Sequence, residues 1–155
     1  MLLKAGGFGH AVCCGRRRRV ETTESATAPR AALPESSPFS ERGGLKLVAL
    51  EEGRATVTLP VREESSGADG RVHRGAITAL VEAAASAAAL GAVDSTTEDG
   101  GASELHVIFV RPAPQHPLNA EARVVSRDGA RRSCEVEVRD WNGELVAKGF
   151  LSCRV

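Results

Sequence analysis

The sequence predicts an α+β fold in which an antiparallel sheet wraps around one long central helix. Residues 75–93 predict the helix, because they are rich in alanine and leucine and contain no proline. Two segments with alternating apolar residues precede this helix, and four more follow it. An apolar helix and strands with one apolar face are buried together when the sheet curves around the helix.

The chain divides into a tail and one domain. Residues 1–36 mix Gly, Ser, Thr and Pro with an arginine run at residues 16–19 and show no apolar periodicity, which predicts a flexible or disordered segment. The arginine run is either a localisation signal or a solvated stretch, so organelle targeting stays open beside a cytoplasmic location. Residues 37–155 suffice for a single domain with its own core.

The domain begins with a predicted pair of strands. Leu45–Glu51 and Arg54–Val61 alternate on either side of Glu52-Gly53, as the two arms of a hairpin do. Residues 63–71 are rich in glycine, serine and charged side chains, which predicts a loop before the helix.

Glu82 is the only charged residue between Arg74 and Asp94. Residues four apart share a helix face, so the helix carries one polar row among small and apolar rows. Its members are Thr78, Glu82, Ser86 and, after a leucine, Asp94. The pattern predicts a helix buried nearly all round, with one narrow polar seam. Because a carboxylate is costly to bury, Glu82 is either a catalytic group or an acid that faces solvent or is hydrogen-bonded in the core.

A polar linker at residues 94–101 separates the helix from the last four predicted strands, which are Glu104–Val110, Leu118–Arg127, Arg132–Arg139 and Glu144–Val155. In the third of these strands Cys134, Val136 and Val138 alternate and point to one face. The Asn142-Gly143 dipeptide between the last two strands is favoured in tight hairpin turns.

The composition disfavours several classes of function. Lys+Arg and Asp+Glu each total 20 and aromatic residues make up 3%, so neither a basic surface nor stacking rings for nucleic acid are expected. The central helix is long enough to cross a membrane, but its glutamate and weakly apolar alanines disfavour a span. A serine-hydrolase elbow is absent, and His106 and His116 are expected to be ordinary strand and loop residues.

The four cysteines predict neither a disulfide framework nor a metal site. Cys13 and Cys14 are adjacent in the tail, whereas Cys134 and Cys153 lie in predicted strands, in phase with apolar neighbours. This pattern favours buried thiols in a reducing compartment. Neither Cys-x-x-Cys nor paired-histidine spacing occurs, so no metal is expected.

The start of the helix offers a site for negative charge. Residues 70–75 (Gly-Arg-Val-His-Arg-Gly) lead into the helix, where backbone N–H groups are unpaired and carry the positive end of the helix dipole. Such groups can stabilise a developing oxyanion. Glu82 lies roughly 10 Å further along the axis. Both groups would therefore act on one atom only if two copies of the helix met across a dimer.

Short motifs occur in an order that is typical of one family. Residues 72–82 (V-H-R-G-A-I-T-A-L-V-E) match V-H-G-G-x-x-x-x-L-x-[DE], and residues 104–113 (E-L-H-V-I-F-V-R-P-A) match E-L-x-V-x-F-x-R-P-A. Residues 143–149 (G-E-L-V-A-K-G) match the last seven positions of a D-G-x-L-V-A-x-G hairpin return, and two short segments at the start of the domain match the family's opening. Over residues 37–155 the chain thus resembles the hotdog-fold acyl-CoA thioesterases of the PaaI type.

The resemblance implies a homodimer, or a homotetramer, with two thioester sites at the dimer interface. It implies that Glu82 acts as nucleophile or general base and that His73 helps to place the thioester. The backbone N–H at Arg74, beside Gly75, would form the oxyanion hole. Coenzyme A would lie on the outside as part of the substrate, with no other cofactor, and the acyl group would occupy an apolar slot between protomers.

Further residues are candidates for substrate contact. They are Thr78 and Ser86 in the polar row, Gly67 in the preceding loop, Ser103 and Arg111 around the second motif, and Arg131 and Arg132 at a predicted turn. The two turn arginines either meet the phosphates of coenzyme A or form a solvated hairpin tip.

Three positions depart from the family pattern. Arg74 replaces a glycine but keeps its backbone N–H, since only proline lacks one. A loop asparagine of the family falls at Gly67. A serine or threonine before the central strand falls at Ala102, and Ser103, one residue along, would face the other side of a strand.

The sequence therefore predicts a hydrolase that acts on a small or medium acyl- or aryl-CoA thioester. The alternative, which the three departures favour, is a non-catalytic hotdog module that binds acyl thioesters or serves in assembly.

Overall fold

A computed structural model of the protein describes residues 38–91 and 102–155. The tail predicted at residues 1–36 and the linker predicted at residues 94–101 lie outside the described residues.

The described chain folds into helices and strands in the predicted order. They are α1 (Pro38–Gly43), β1 (Lys46–Glu51), β2 (Arg54–Leu59), α2 (Arg74–Leu90), β3 (Ala102–Phe109), β4 (Leu118–Asp128), β5 (Arg131–Arg139) and β6 (Leu145–Arg154). The six predicted strands are confirmed, each to within two residues at either end. The short helix α1 and a single 3₁₀ turn at Glu63–Ser65, inside the predicted loop, were not expected from the sequence.

The strands form one six-stranded antiparallel sheet in the order β1-β2-β4-β5-β6-β3. Strands β1 and β3 are therefore its two edges. Helix α2 contacts all six strands and packs most extensively on β2, β4 and β5, so the sheet curves around the helix as predicted.

Helix α2 is buried on most of its circumference, as the rows of small and apolar residues predict. Leu80, Val81 and Ala84 are fully buried against the sheet. The helix approaches β6 closely because Gly149 has no side chain, and a Cβ at that position would overlap Val81. Along the outer seam Glu82 is exposed and Thr78 is half-buried. The narrow polar seam is therefore confirmed over Thr78, Glu82 and Ser86, whereas Asp94 lies outside the described residues.

The inner and outer faces of the sheet follow the predicted alternation. Cys134 and Cys153 are buried free thiols on the inner face, as expected. On the outer face Glu137 lies 2.8 Å from Lys148, and hydrogen bonds from Lys148 and Arg139 lower the pKa of the Glu137 carboxyl. Charged side chains thus cover one side of β5, while Cys134, Val136 and Val138 cover the other.

The turn between β5 and β6 differs from the predicted Asn-Gly turn. The N–H of Gly143 donates to the carbonyl of Asp140 at 2.9 Å, so Trp141 and Asn142 are the central residues. Among the described residues a positive φ occurs only at glycines, including Gly143 at 81°, whereas a turn centred on Asn142-Gly143 would need one at both positions. The Asp140 side chain selects this register, because its Oδ1 accepts from the N–H groups of Asn142 and Glu144.

None of the helices in the described ranges has the length and apolar character that a membrane span requires.

Candidate active site

His73 is the N-cap of α2. Its backbone is extended (φ −64°, ψ 136°), and its Nδ1 accepts a hydrogen bond from the N–H of Gly75 at 3.0 Å. The backbone N–H of His73 donates to the carbonyl of Ser65 at 2.8 Å, which fixes the start of the helix to the preceding loop. An imidazole that accepts at Nδ1 carries its proton on Nε2, so Nε2–H is the group left for a ligand.

The first turn of α2 leaves one backbone donor free. The N–H of Gly75 serves His73, and the N–H of Ala76 donates to the carbonyl of His73 at 2.9 Å. Within the described part of the chain the N–H of Arg74 has no acceptor. A free N–H at the positive end of a 17-residue helix is a donor for an anion or a developing oxyanion.

The side chain of Arg74 turns toward the sheet edge. Its guanidinium carbon lies 5.4 Å from the ring centroid of Phe109, at the end of β3, which is a cation–π distance. This contact holds the guanidinium on β3. The sequence motif contained Phe109, but only the fold reveals that this ring receives Arg74.

A cavity of about 560 Å³ lies at this end of α2 and is called the first cavity. Helix residues His73, Arg74 and Ile77 line one side, residues 109–113 line another, and the loop around Gly67 lines a third. Arg71, Arg74 and Arg111 line it together with the single carboxylate of Asp69, so its lining carries more positive than negative side chains.

A second cavity of about 430 Å³ lies on the other side of His73. Leu45, Leu59, Ala76 and Ala79 give it a mainly apolar wall, and Phe39 of α1 stands at its rim. His73 lines both cavities, and Gly75 lines only the second. The predicted residues at the helix start are therefore brought together between a charged recess and an apolar one.

Glu82 lines neither cavity. It lies exposed on the outer seam of α2, where its Oε1 accepts a hydrogen bond from Ser86 Oγ at 3.1 Å. Thr78 uses its hydroxyl within the helix, because Oγ1 donates to the carbonyl of Arg74 at 3.0 Å. Ser86 thus orients the Glu82 carboxylate, whereas the hydrogen bond of the Thr78 hydroxyl stays within α2.

Gly67 lies in the wall of the first cavity. Its N–H donates to the carbonyl of Arg71 at 2.6 Å, and its carbonyl accepts from Gly70 at 3.1 Å, so the loop closes on itself. A Cβ at Gly67 would meet Asp69 Oδ1 at 2.9 Å, the end of a flexible side chain. The loop therefore reaches the site without contributing a side chain at this position.

Ser103 sits in an irregular part of β3. The register with β6 shifts between Ala102 and Glu104, and Ser103 Oγ donates to the carbonyl of Ser152 at 2.9 Å. Phe109 is about 20 Å away along the strand. The shift could not be read from the sequence, and Ser103 lines neither cavity.

Arg111 lines the first cavity and is held by two carboxylates. Its Nη2 donates to Asp140 Oδ2 at 2.6 Å, and its Nη1 lies 3.5 Å from Glu144 Oε2. Asp140 is 5% exposed. It was not among the site residues predicted from the sequence, although an aspartate at the start of a turn often accepts hydrogen bonds from the turn backbone. Arg111 therefore ties the cavity wall to the turn after β5.

Arg131 and Arg132 lie at the opposite end of the sheet. They follow β4, which carries the chain roughly 33 Å from Leu118 to Asp128. Arg132 Nη1 donates to the carbonyls of Gly129 and Arg131, and neither arginine lines the first cavity. The fold therefore does not bring them to the start of α2.

The buried thiols are not poised as nucleophiles. Burial, and to a smaller extent Cys153, raises the pKa of the Cys134 thiol to about 12, and burial also raises the pKa of Cys153. A thiol must ionise to attack, so these two cysteines act as core residues. In the described ranges no three His, Cys, Asp or Glu side chains gather as metal ligands would.

The chain is similar to proteins of one family. The family model described as the thioesterase superfamily matches residues 69–147. A candidate esterase of Saccharolobus solfataricus is 32% identical over 106 residues, which cover 68% of this chain and 74% of that protein.

Solved structures share the architecture. S. sahachiroi AziG is 30% identical, with a TM-score of 0.70, and the match covers 76% of this chain and 95% of that one. A variant of the phenylacetic acid degradation protein PaaI from Thermus thermophilus is 27% identical, with a TM-score of 0.68, over 76% of this chain and 98% of that one.

The family model spans just over half of the chain, and the sheet wrapped around α2 is the hotdog arrangement of the structural neighbours. Both the α+β prediction and the resemblance to PaaI-type thioesterases are confirmed. The protein belongs to the thioesterase superfamily and is a hotdog-fold hydrolase.

Proposed function

We propose that the protein hydrolyses the thioester of a small or medium acyl- or aryl-coenzyme A. The observation that carries this proposal is the free backbone N–H of Arg74, at the wall of the first cavity and beside His73. A thioester carbonyl placed there would have its developing negative charge met by that N–H and by the helix dipole. The Nε2–H of His73 would donate to the same substrate and orient it.

Glu82 supplies the base or the nucleophile in this proposal. It lies eight positions beyond Arg74, roughly 12 Å along the axis. That separation exceeds hydrogen-bond reach, so a carbonyl held at Arg74 is beyond the Glu82 of the same protomer. The Glu82 of a second copy would act on it instead, which makes the site a property of two chains.

A homodimer across the β3 edge fits this requirement. Strand β3 is an edge strand, and Leu105, Ile108 and Val110 are exposed apolar residues on or beside it. Unpaired strand edges with apolar side chains are surfaces at which chains associate. Arg74 and Glu82 lie in the same row of α2, because they are eight positions apart. The Arg74 side chain packs over Phe109 of β3, so this row lies beside the β3 edge. A tetramer would use a further surface.

The two cavities suit the two halves of an acyl thioester. The charged first cavity would hold the coenzyme A side, whose phosphates are anionic, and the apolar second cavity would receive the acyl group. A volume of about 430 Å³ suits a short chain or a single aromatic ring. His73, which lines both cavities, would lie beside the thioester bond.

The chemistry requires an ionised Glu82 by either of two routes. As a general base, Glu82 removes a proton from water while the water oxygen attacks the carbonyl carbon. The C–S bond then breaks, and the proton passes to the departing thiolate, giving a carboxylic acid and free coenzyme A. As a nucleophile, the carboxylate itself displaces coenzyme A, and water then hydrolyses the resulting anhydride.

A panel of short, branched and aromatic acyl-CoA thioesters tests the proposal, with the released thiol detected by a dye. Hydrolysis by the parent protein and a loss of about a hundredfold in Glu82→Gln are expected. Glu121→Gln is the matched control, because Glu121 is an exposed carboxylate on the outer face of β4. Equal rates in Glu82→Gln and the parent would overturn the catalytic assignment.

A non-catalytic acyl-thioester module is the second candidate, and one observation favours it. Gly67 contributes no side chain to the cavity wall where the family places an asparagine. Saturable binding of an unhydrolysed acyl-CoA, with no thiol release across the whole panel, would establish this alternative. Gly67→Asn is then the informative variant, since the flexible Asp69 side chain can move aside for the new Cβ.

A further inference from the structure

Trp141 is the only tryptophan in the chain, and 62% of it is exposed. Its indole lies beside the imidazole of His116, with ring centroids 5.4 Å apart and planes inclined by 58°. His116 is exposed as well. The two rings form an open corner on the surface, and most of the indole area is not used to cover the core.

The backbone beneath the indole is fixed. The carboxylate of Asp140 accepts from the N–H groups of Asn142 and Glu144, at 2.9 and 3.0 Å, and from Arg111 at 2.6 Å. A carboxylate with three donors in a buried position holds the turn in one conformation. Trp141 therefore projects from a rigid support.

The backbone beneath the imidazole is also restrained. The N–H of His116 donates to the carbonyl of Pro114 at 2.8 Å, and Pro117 restricts the φ and ψ of the residue before it. Gln115 Nε2 donates to Ser66 Oγ at 2.7 Å, which ties this loop to the segment before α2. Both walls of the corner are thus held before any ligand arrives.

Two short connections join the corner to residues that line the first cavity. Arg111 lines that cavity and bonds Asp140, the residue before Trp141. Ala113 also lines the cavity, and His116 follows it by three residues, at most about 11 Å along the chain. A ligand seated in the cavity through a long flexible arm can therefore bring its far end to the corner.

We propose that His116 and Trp141 bind the adenine base of the coenzyme A carrier. This inference rests on the proposed thioesterase function, because it assumes that a coenzyme A thioester occupies the first cavity. The flat face of a purine stacks on the face of an indole ring. When the indole is exposed, the polar edges of the stacked purine stay in contact with water. The inclined imidazole of His116 limits how far the base can slide across the indole.

Intrinsic fluorescence tests the site directly, since Trp141 is the sole tryptophan. Coenzyme A and adenosine 3′,5′-bisphosphate are titrated separately, together with pantetheine, which lacks the nucleotide. Saturable quenching by the first two and none by pantetheine is expected. No response to either nucleotide, or an equal response to pantetheine, would overturn the assignment. Because this titration needs no hydrolysis, a failure of the proposed catalysis leaves it interpretable.

Kinetics of Trp141→Leu give an independent readout. We expect KM for the best acyl-CoA to rise about fivefold or more, with kcat unchanged, as loss of one stacked base implies. KM for the same acyl group on pantetheine should not change, and Trp141→Phe should retain most of the affinity for the acyl-CoA. Phe150→Leu, an exposed aromatic on the outer face of β6, is the matched control and should match the parent. Equal changes in KM for both thioesters would contradict adenine stacking.

Discussion

The imidazole Nδ1 of His73 accepts a hydrogen bond from the backbone N–H of Gly75 at 3.0 Å, and this bond gives one side chain two roles. It caps the first turn of α2, so the helix starts at a defined residue. It also fixes the imidazole with Nε2 as the remaining donor. The N–H of Arg74, which lies between the two bonded residues in the chain, has no acceptor among the described residues and is available to an oxyanion.

Two variants of His73 distinguish its role as helix cap from its role as a hydrogen-bond donor to the substrate. Asparagine is a preferred N-cap residue and can accept the same bond, but it has no ring N–H at the position of Nε2. His73→Asn should therefore keep the melting temperature of the parent and lose turnover by about tenfold or more. His73→Ala should lose turnover and also about 0.5–2 kcal/mol of stability. Thermal unfolding and kcat are measured on both variants, and parental kcat in His73→Asn would show that the histidine is only a cap.

Glu82→Gln preserves size and removes the charge. Because Glu82 is exposed, we expect little change in the free energy of unfolding, whereas kcat should fall about a hundredfold or more. Ser86→Ala removes the 3.1 Å hydrogen bond that orients the carboxylate and should cost far less activity. Denaturant unfolding and steady-state rates check both variants. If Ser86→Ala proved the more damaging change, the role assigned to Glu82 would be wrong.

The fold was predictable because its strands and its helix have different apolar periods. Alternation every second residue gave the strands, and the alanine-rich stretch with a single glutamate gave α2 and its polar seam. The turn after β5 was misplaced, since the side chain of Asp140 selects the turn register and outweighs the Asn142-Gly143 preference. Helix α1 is too short for a periodic signal, so local patterning did not reveal it.

The candidate site was predictable only in part. The motif at residues 72–82 placed His73 and Arg74 at the start of the helix that carries Glu82, and in the structure His73 is the N-cap of α2 and Arg74 its first residue. Contacts between distant segments were not predictable, because a sequence pattern carries no information on which side chains meet. The pairing of Arg111 with Asp140 and the approach of Arg74 to Phe109 are of this kind. The register shift beside Ser103 likewise depends on how β3 meets β6.

Ala83→Leu tests the burial of α2 on its small-residue side. Ala83 is 7% exposed, so three extra heavy atoms must displace neighbours, and we expect a loss of about 1–3 kcal/mol. Ala79→Leu is the control on the same row, where a half-buried residue lines the second cavity. It should cost less stability and shift the substrate preference toward smaller acyl groups. Urea unfolding and the acyl-CoA panel distinguish the two variants. A urea midpoint in Ala83→Leu equal to that of the parent would contradict the burial of this side of α2.

Cys134 links stability to alkaline pH. Burial raises the pKa of its thiol from 9.0 to about 12, so the folded state holds the proton more tightly than the unfolded state. This stabilisation is complete below pH 9.0 and is lost as the pH rises toward 12. Cys134→Val keeps an apolar side chain without the titration, so its stability should fall less steeply over that range. Urea midpoints measured across the alkaline range check this, and parallel curves for parent and variant would exclude Cys134 as the cause.

Arg74→Pro removes the proposed oxyanion donor while keeping the helix. Arg74 is the first residue of α2 after the N-cap, a position where proline is well tolerated because its N–H is not needed by the helix. The residue before it, His73, already has an extended backbone (φ −64°, ψ 136°), which a following proline requires. We therefore expect a folded protein whose kcat is lower by about a hundredfold or more.

Arg74→Gly is the matched variant, since it removes the same side chain and the contact with Phe109 but keeps the backbone N–H. Its kcat should stay within a few-fold of the parent, because glycine restores the family pattern at this position. If the guanidinium also meets a phosphate of coenzyme A, KM should rise in both variants, and the rise should shrink as salt screens the pair. Equal kcat in Arg74→Pro and Arg74→Gly would show that this N–H does not hold the oxyanion, and the negative charge would then have to be met by another donor, such as Nε2–H of His73.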